Sequence, residues 1–338
     1  MTVQELIKEL NKKNKLEVTA LSDENSPCIV TEVMSTGCLA LDAIVGGGLP
    51  VGRITEIYGD ESTGKSLIAA QVAAIAQQNG HIVAYIDTEG AVSIEIMREV
   101  GVDADNLIYT VPDTIDGEEG VLQFIQDTIK LVAERDPDKL LLVIWDSIAA
   151  TSALKEMDDA YGKAQMGRHA GLISQGLRKL KPYIAKHRVC ALFINQTREK
   201  IGIMFGDKTT TFGGKAIAFH ATTRIALTGG KEIKNDDKRT IGIVNRAKVT
   251  KNKYSYPFRE ADLPIFFGHG IDDALAAFEY MKENKLFYQN GGWYTLFRDK
   301  QHEVAKFQKK GWKEVFDEHY DFIAALILGV DYEGPFTD

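Results

Sequence analysis

A glycine-rich segment near residue 60 has the residue types and spacing of a phosphate-binding loop. The segment GDESTGKS at residues 59–66 fits the pattern G-x-x-x-x-G-K-[ST] and lies between a predicted strand and a predicted helix. Glycines let backbone N–H groups surround a phosphate, and the N-terminus of the following helix adds partial positive charge. Lys65 is expected to reach the β- and γ-phosphates of a nucleotide, and the Ser66 hydroxyl to bind Mg²⁺. The predicted contacts are Gly59, Asp60, Glu61, Ser62, Thr63, Gly64, Lys65, Ser66 and Leu67.

Two acidic residues follow predicted strands. Asp146 ends the apolar run at residues 140–146, and Glu89 comes just after the strand predicted at residues 82–87. Ligands of open α/β sheets gather at the carboxyl ends of the strands. We therefore expect Asp146 to bind the Mg²⁺ through water and Glu89 to polarise the attacking water. Taken alone, Asp146 could equally cap a helix, and Glu89 could be an ordinary surface residue.

The elements that must position these residues alternate between strand and helix. Strands are predicted at residues 53–58, 82–87, 140–146, 189–195, 225–228 and 242–250. Helices are predicted at residues 4–15, 65–78, 120–134 and 167–186. This order is typical of an α/β fold with a mainly parallel twisted sheet flanked by helices. The last strand alternates polar and apolar residues as an antiparallel strand does, and residues after 270 indicate a small α+β domain.

Composition limits the class of protein. The chain has 338 residues, 44% hydrophobic and 26% charged, which favours one large and one small soluble domain. The net charge of −8 argues against general coating of nucleic acid, although a local basic groove is compatible with it. Cys28, Cys38 and Cys190 are too widely spaced for a zinc site or a disulfide framework. The absence of a signal peptide and of any apolar run of ~20 residues predicts a cytoplasmic protein without a membrane partner.

Six motifs occur in an order and spacing that resemble the bacterial RecA recombinases. They are STGCLALD at 35–42, GGLPVGRI at 47–54, IDTE at 86–89, FINQTR at 193–198, KIGIMFG at 200–206 and VTKNK at 249–253. The resemblance extends from about residue 35 to the end of the chain and is strongest up to residue 271. It implies a RecA-like P-loop NTPase core at 35–270, preceded by a subunit-docking helix and linker at 1–34. A small C-terminal domain would occupy 271–338.

The resemblance assigns roles to five residues. Glu89 matches the base that activates water, and Gln196 matches the glutamine that senses the γ-phosphate and relays its state to the DNA-binding loop. Lys251 and Lys253 match two lysines that reach the ATP of a neighbouring subunit, as an arginine finger would. Without the family, these lysines are simply a solvated pair at a strand end. Phe219 matches an aromatic of subunit packing, although an interior aromatic is an equal alternative.

Two segments correspond to the family's DNA-binding loops, at about residues 156–166 and 197–215. Backbone N–H groups and hydroxyls there can bind phosphates without reading bases. Apolar Met166, Ile201 and Met204 could wedge between bases, with core packing as the alternative. The predicted DNA-binding residues are Met166, Arg168, Ser174, Arg178, Arg198, Lys200, Ile201, Gly202, Thr210, Thr211, Gly213 and Gly214.

The chain departs from the family's pattern at several positions. Ser93 replaces an aspartate near the adenine, and Phe267 replaces a tyrosine that packs against it. Phe212 interrupts the usual threonine–glycine run. Gly171 stands where an arginine is expected, with Arg168-His169 upstream. A compact, divergent chain of this kind suggests a bacteriophage origin, which would place it in the host cytosol.

The resemblance implies a DNA-dependent ATPase and homologous recombinase that uses ATP and Mg²⁺ in DNA recombination and repair. Its expected partners are single-stranded and double-stranded DNA, further copies of the chain in a helical filament, and single-strand-binding and mediator proteins. The nearest alternative is a ring-shaped ATPase of the same superfamily. A metabolic P-loop kinase would need an acceptor site and an arginine-rich lid, and a non-catalytic DNA-binding regulator would not need Lys65, Glu89 and Asp146.

Overall fold

The computed structural model of the chain describes residues 2–13, 18–20, 26, 29–118, 120–151, 168–199, 209–299 and 302–331. The α-helices within these residues are α1 (Val3–Lys13), α2 (Leu39–Val45), α3 (Lys65–Gln78), α4 (Ile94–Glu99), α5 (Val121–Arg135), α6 (Arg168–Lys186), α7 (Lys215–His220), α8 (Asp273–Glu283), α9 (Trp312–Glu318) and α10 (Tyr320–Leu328). The strands are β1 (Val33–Met34), β2 (Leu49–Pro50), β3 (Arg53–Gly59), β4 (Ile82–Asp87), β5 (Ile108–Thr110), β6 (Leu141–Asp146), β7 (Val189–Glu199), β8 (Thr209–Thr211), β9 (Thr223–Lys234), β10 (Thr240–Asn252), β11 (Glu260–Phe266), β12 (Gly270–Ile271), β13 (Tyr288–Asn290), β14 (Trp293–Phe297) and β15 (Glu303–Gln308).

A central sheet organises the main domain. Among the described residues it has ten strands in the order β12-β11-β10-β9-β3-β7-β6-β4-β5, with β8 attached to β7. The six strands from β9 to β5 run parallel. Strands β10, β11 and β12 extend the β9 edge in antiparallel pairing, and β8 also pairs antiparallel. The predicted α/β fold with a mainly parallel sheet is therefore confirmed.

The central strands are buried on both faces because helices cover each side. All six residues of β6 are buried, as its continuous apolar sequence predicts. On one face α3 contributes Ile68 and Val72 to a core shared with the sheet. On the other face α5 and α6 contribute Ile125 and Leu177. This two-sided burial fixes the carboxyl ends of β3, β4 and β6 along one edge, where the candidate site forms.

The C-terminal part is a small α+β unit, as the sequence indicates. Strands β13, β14 and β15 form a three-stranded antiparallel sheet. Their aromatic residues pack with α8 and α9 around Phe278 and Trp312. This core also contains Leu39 of α2, whose backbone N–H donates to Asp273 Oδ1 at 2.7 Å. The small unit is therefore joined to the main domain by a shared apolar core and a partly buried hydrogen bond.

Three features differ from the predicted elements. Helices α2 and α4 were not predicted, since both are shorter than the periodicity can reveal. The amphipathic helix predicted at 4–15 lies at Val3–Lys13, and none of its residues is buried. The second predicted DNA-binding loop, at about residues 197–215, contains regular structure at its two ends. There β7 and β8 pair through Thr197 and Thr211, and α7 begins at Lys215.

No helix within the described part of the chain is long and apolar enough to cross a membrane.

Candidate functional site

The phosphate loop, residues 59–66, connects the end of β3 to the start of α3. Gly59 lies so close to β9 that a Cβ there would come within 2.3 Å of the Leu227 carbonyl oxygen, and Gly64 adopts φ 73°. The Lys65 Nζ donates to the carbonyl oxygens of Gly59 at 3.1 Å and Asp60 at 2.6 Å. Burial lowers the pKa of Lys65, while the carboxylates of the site act in the opposite direction. The loop therefore curls around its own ammonium group at a helix N-terminus.

Asp146 lies beside the phosphate loop at the end of β6. Its Oδ2 accepts a hydrogen bond from the Tyr85 hydroxyl at 2.7 Å, and the Ser66 side chain is also hydrogen-bonded to it. Burial raises the pKa of Asp146, and these two hydroxyls partly offset that effect. The structure thus brings Ser66 and Asp146 together as the sequence predicts. Tyr85, fully buried in β4, is a site residue that sequence analysis missed.

Glu89 is oriented by two neighbours from distant parts of the chain. Its Oε1 accepts from the Ser147 hydroxyl at 2.6 Å and from Gln196 Nε2 at 3.2 Å. The adjacent Thr197 hydroxyl hydrogen-bonds to the Asp60 carboxylate of the phosphate loop. The predicted base and the predicted γ-phosphate sensor are therefore in direct contact. Ser147 was not predicted, and its only sequence signal is its position after Asp146.

Asp87 shapes the turn that carries Glu89. Its carboxylate is buried and accepts hydrogen bonds from the backbone N–H groups of Glu89, Gly90 and Val92, at 3.1, 2.9 and 3.0 Å. The Tyr109 hydroxyl also donates to it at 2.9 Å. By accepting from three turn amides, Asp87 holds the backbone that carries the Glu89 side chain. Asp87 belongs to the IDTE motif, but the sequence predicted no role for it.

A cavity of about 410 Å³ opens beside the phosphate loop. Its lining combines the polar Ser66, Glu89 and Asp146 with the apolar Ile96 and Phe267. Binding sites for nucleotides and other small ligands are commonly concave, largely apolar and equipped with a few convergent polar groups. The cavity thus places the predicted base-stacking residue and the predicted metal-binding pair around one space.

Ser93 lines the same cavity but serves α4. Its hydroxyl accepts from the Ile96 backbone N–H at 3.3 Å and donates to Glu95 Oε2 at 2.7 Å. Ser93 is therefore the N-cap of α4, a role in which serine is preferred. Capping does not explain the replacement of the family's aspartate, because aspartate is equally preferred at an N-cap.

The two predicted trans-acting lysines lie on β10 and just after it, near α7. Lys251 Nζ donates to the carbonyl oxygens of Ala218 at 2.6 Å, Phe219 at 3.2 Å and Ala221 at 2.7 Å. Burial, followed by the charge of Lys253, lowers the pKa of Lys251 to about 8. Lys251 thus caps the C-terminus of α7 and is not a solvated side chain. Lys253 is exposed, and so is Phe219 at 74%, which excludes the interior alternative for this aromatic.

The predicted DNA-binding residues divide between α6 and the β7–β8 hairpin. Arg168 begins α6, Ser174 is half-buried on it, and Arg178 is exposed. Thr210 and Thr211 form part of β8, and Gly213 and Gly214 have φ 76° and 62° at the turn into α7. Arg198 is exposed near the end of β7, opposite Thr210. Met166, Lys200, Ile201, Gly202 and Met204 lie outside the described residues.

Two departures from the family's pattern contact each other. The rings of His169 and Phe212 meet edge to face, with centroids 4.3 Å apart. His169 Nε2 is also hydrogen-bonded to the Thr151 carbonyl oxygen at 2.6 Å, and the Arg198 guanidinium lies 4.2 Å from the centre of the Phe212 ring. Phe212 therefore packs between the start of α6 and the end of β7. It connects the start of α6 to the second candidate DNA-binding segment.

All of the site residues described above lie within residues 1–272. Residues 1–272 match the family described as the RecA N-terminal domain. The chain is 39% identical over 293 residues to Protein RecA of Lactococcus lactis subsp. cremoris (strain MG1363), which covers 85% of this chain and 73% of that protein. It is 37% identical over 309 residues to Protein RecA of Petrotoga mobilis, and the match covers 91% of this chain and 81% of that protein. It is 39% identical over 301 residues to Protein RecA of Clostridioides difficile (strain 630), covering 86% and 83%.

Proposed function

The chain belongs to the RecA family, and we propose that it is a DNA-dependent ATPase and homologous recombinase acting in DNA recombination and repair. ATP-bound filaments of the chain would assemble on single-stranded DNA, pair it with a homologous duplex and exchange strands. The contact between Gln196 Nε2 and Glu89 Oε1 carries the proposal. It connects the site of hydrolysis to the strand that leads directly into the second loop, residues 197–215.

ATP would occupy the cavity beside the phosphate loop. The β- and γ-phosphates would lie within the loop, against Lys65, and the adenine against Phe267. Ser66 and Asp146 offer the oxygen ligands that Mg²⁺ prefers. Among the described residues, no three His, Cys, Asp or Glu side chains could hold a metal ion, so water and phosphate oxygens would complete its coordination. When bound, Mg²⁺ would neutralise charge on the phosphates.

Glu89 would orient the attacking water and accept its proton. Ser147 and Gln196 both donate to Glu89 Oε1, which leaves Oε2 available to the water. The Gln196 amide has a second N–H, which can donate to a γ-phosphate oxygen. Loss of that phosphate on hydrolysis would alter the position of Gln196 and of the strand segment that follows it. The nucleotide state and DNA affinity would thereby be linked reciprocally.

Assembly would complete the site. Phe219 and Lys253 are exposed on α7 and just after β10, where a second copy of the chain could contact both. Lys251 and Lys253 would then approach the phosphates of that copy and stabilise the charge that develops during transfer. Hydrolysis would consequently depend on the filament, and DNA would stimulate hydrolysis by promoting assembly. A cytoplasmic location in a bacterial cell is consistent with this role.

The direct test is ATP hydrolysis by the full chain with and without single-stranded DNA, combined with electron microscopy of the DNA-bound protein. We expect strong stimulation by DNA and open helical filaments. Closed rings would favour the ring-shaped ATPase. Equal turnover without DNA would instead favour the kinase alternative and reject DNA gating.

Changing Arg178 to Ala should weaken single-stranded DNA binding uniformly across sequences. Each phosphate contact that is removed lowers the slope of log affinity against log salt by about 0.7 for single strands. Fluorescence anisotropy at several salt concentrations measures both quantities. Lys186→Ala is the matched control, because Lys186 is an exposed cation at the C-terminal end of the same helix, α6. An unchanged slope in Arg178→Ala, or the same change in both variants, would contradict a phosphate contact at Arg178.

A further inference from the structure

A buried polar cluster lies beneath the root of the second loop. Glu56, Asn195 and Arg224 come from β3, β7 and β9, which are adjacent in the sheet. Glu56 and Asn195 are fully buried, and the Arg224 side chain is 17% exposed. Charged and polar groups are costly to bury unless their hydrogen bonds are satisfied. We therefore expect the three side chains to satisfy one another or the backbone around them.

The Glu56 carboxylate connects all three strands. Its Oε2 forms an ion pair with Arg224 Nε, and its Oε1 accepts from Asn195 Nδ2 at 2.9 Å. The Arg224 guanidinium also lies 4.4 Å from the centre of the Tyr58 ring and donates from Nη2 to Thr211 Oγ1 at 3.3 Å. One carboxylate thus links the strand that precedes the phosphate loop to β8, the strand that returns from the second loop.

The Asn195 side chain also connects β7 to the backbone that follows β8. Its Nδ2 donates to the Phe212 carbonyl oxygen at 3.0 Å, besides its bond to Glu56. Its Oδ1 accepts from the backbone N–H of Gln196 at 2.9 Å. A single buried amide therefore binds the backbone of the γ-phosphate sensor and the backbone at the end of β8.

The positions of β7 and β8 in the sheet are fixed to different degrees. On one side β7 is paired with β3, with Gly59 opposite Gln196, so that part of the backbone is set by the parallel core. On the other side β8 joins the sheet through its short pairing with β7 and through the bonds of Asn195 and Arg224. Phe212 is bonded to Gln196 in two ways: directly, from its backbone N–H to the Gln196 carbonyl oxygen at 3.3 Å, and through the Asn195 side chain.

We propose that Glu56, Asn195 and Arg224 form a positioning unit that couples the location of Gln196 to the return strand of the second loop. The unit deepens the proposed function and rests on it, because it transmits the nucleotide state to a candidate DNA-binding segment. None of the three is a catalytic residue, since their described contacts go to strands and not to Glu89. Buried ion pairs contribute little net stability compared with apolar replacements, which favours a role in specifying geometry.

The test uses the full chain with Asn195→Ala, and with Arg224→Lys as a milder variant. Lysine keeps a positive charge beside Glu56 but lacks the planar group that reaches Thr211 and stacks on Tyr58. We expect KM for ATP and DNA-free turnover to change by no more than about threefold. Stimulation by an oligo-dT strand should fall by about tenfold or more in Asn195→Ala, within the usual range of coupling between sites. Arg224→Lys should show a smaller loss.

A second measurement does not depend on DNA. Hydrogen exchange of residues 209–217 is compared with and without ATPγS, a slowly hydrolysed ATP analogue. The wild type should show nucleotide-dependent protection in this segment, and Asn195→Ala should lose the difference while still binding the analogue. Ile129→Ala is the control for general destabilisation, because Ile129 is a buried apolar residue of α5 whose side chain cannot hydrogen-bond to the unit. The control should keep both the stimulation and the exchange response.

The outcomes distinguish rejection of the positioning unit from failure of the proposed function. If Asn195→Ala retains both the DNA stimulation and the exchange response, the positioning unit is rejected. The unit is likewise rejected if Ile129→Ala loses both responses to the same extent as Asn195→Ala. If the wild type itself shows no DNA stimulation, the proposed function fails. The nucleotide-dependent exchange of residues 209–217 then still decides whether the unit transmits the nucleotide state.

Discussion

Replacing Glu89 with glutamine is expected to lower ATP turnover by about 10²- to 10⁴-fold, the range for loss of a general base. Glutamine has the shape of glutamate, and its Oε1 can still accept from Ser147 and Gln196. It cannot accept a proton from water. ATP affinity and ATP-dependent filament formation should therefore persist. Filaments should also become longer-lived, because hydrolysis no longer drives their disassembly.

Single-turnover hydrolysis and equilibrium binding of a fluorescent ATP analogue measure the two parts of this expectation. Glu99→Gln is the matched control. Glu99 is an exposed glutamate at the end of α4 and does not line the cavity. Its replacement by glutamine removes the same negative charge as Glu89→Gln does. Turnover in Glu89→Gln within tenfold of the wild type would assign activation of the water to another group. A parallel loss of ATP binding would show that Glu89 acts in binding and not in chemistry.

Changing Lys253 to alanine is expected to lower DNA-stimulated turnover by about 10³-fold or more, as removal of a cation supplied in trans does in phosphoryl transfer. Lys253 is the better target of the two lysines for this measurement. It is exposed, whereas Lys251 also caps α7 through three carbonyl oxygens. Lys251→Ala would combine a catalytic loss with a local structural one. Lys253→Ala should leave the melting temperature unchanged.

Mixing two inactive variants tests whether the charge is supplied by a neighbour. In filaments containing equal amounts of Glu89→Gln and Lys253→Ala, some sites combine an intact Glu89 with an intact Lys253 from the adjacent copy. Random mixing along a head-to-tail assembly should restore about a quarter of wild-type turnover. Glu99→Gln mixed with Lys253→Ala provides the upper reference. No restoration in the first mixture would show that Lys253 acts within its own chain.

Several parts of the fold and the site were predictable because they depend on local sequence. The phosphate loop is recognisable from eight consecutive residues, and its conformation follows from glycine geometry and a helix start. Strand β6 was predicted because burial on both faces requires an unbroken apolar run. Helix α3 occupies its predicted bounds, Lys65–Gln78. The motif order identified the family, which the comparisons confirmed.

Other parts could not be predicted because they depend on residues far apart in the chain. Strand β8 is too short to be recognised alone and exists because it pairs with β7. The hydrogen bond between Gln196 and Glu89 joins positions 107 residues apart. The capping of α7 by Lys251 was equally hidden, since a lysine in a strand gives no indication of which carbonyl groups it will meet.

The sequence by itself determined the chemistry available to this protein: a phosphate loop, carboxylates after strands β4 and β6, and a family in which such groups hydrolyse ATP. Tertiary structure decided which of these groups touch. It brought Ser147 and Gln196 into contact with Glu89, and Tyr85 into contact with Asp146. It also placed the buried Asn195 between Gln196, the proposed nucleotide sensor, and Phe212 of the second loop. The physical reason is that residue type sets what a side chain can donate or accept, whereas the packing of the sheet sets which partner lies within hydrogen-bonding distance.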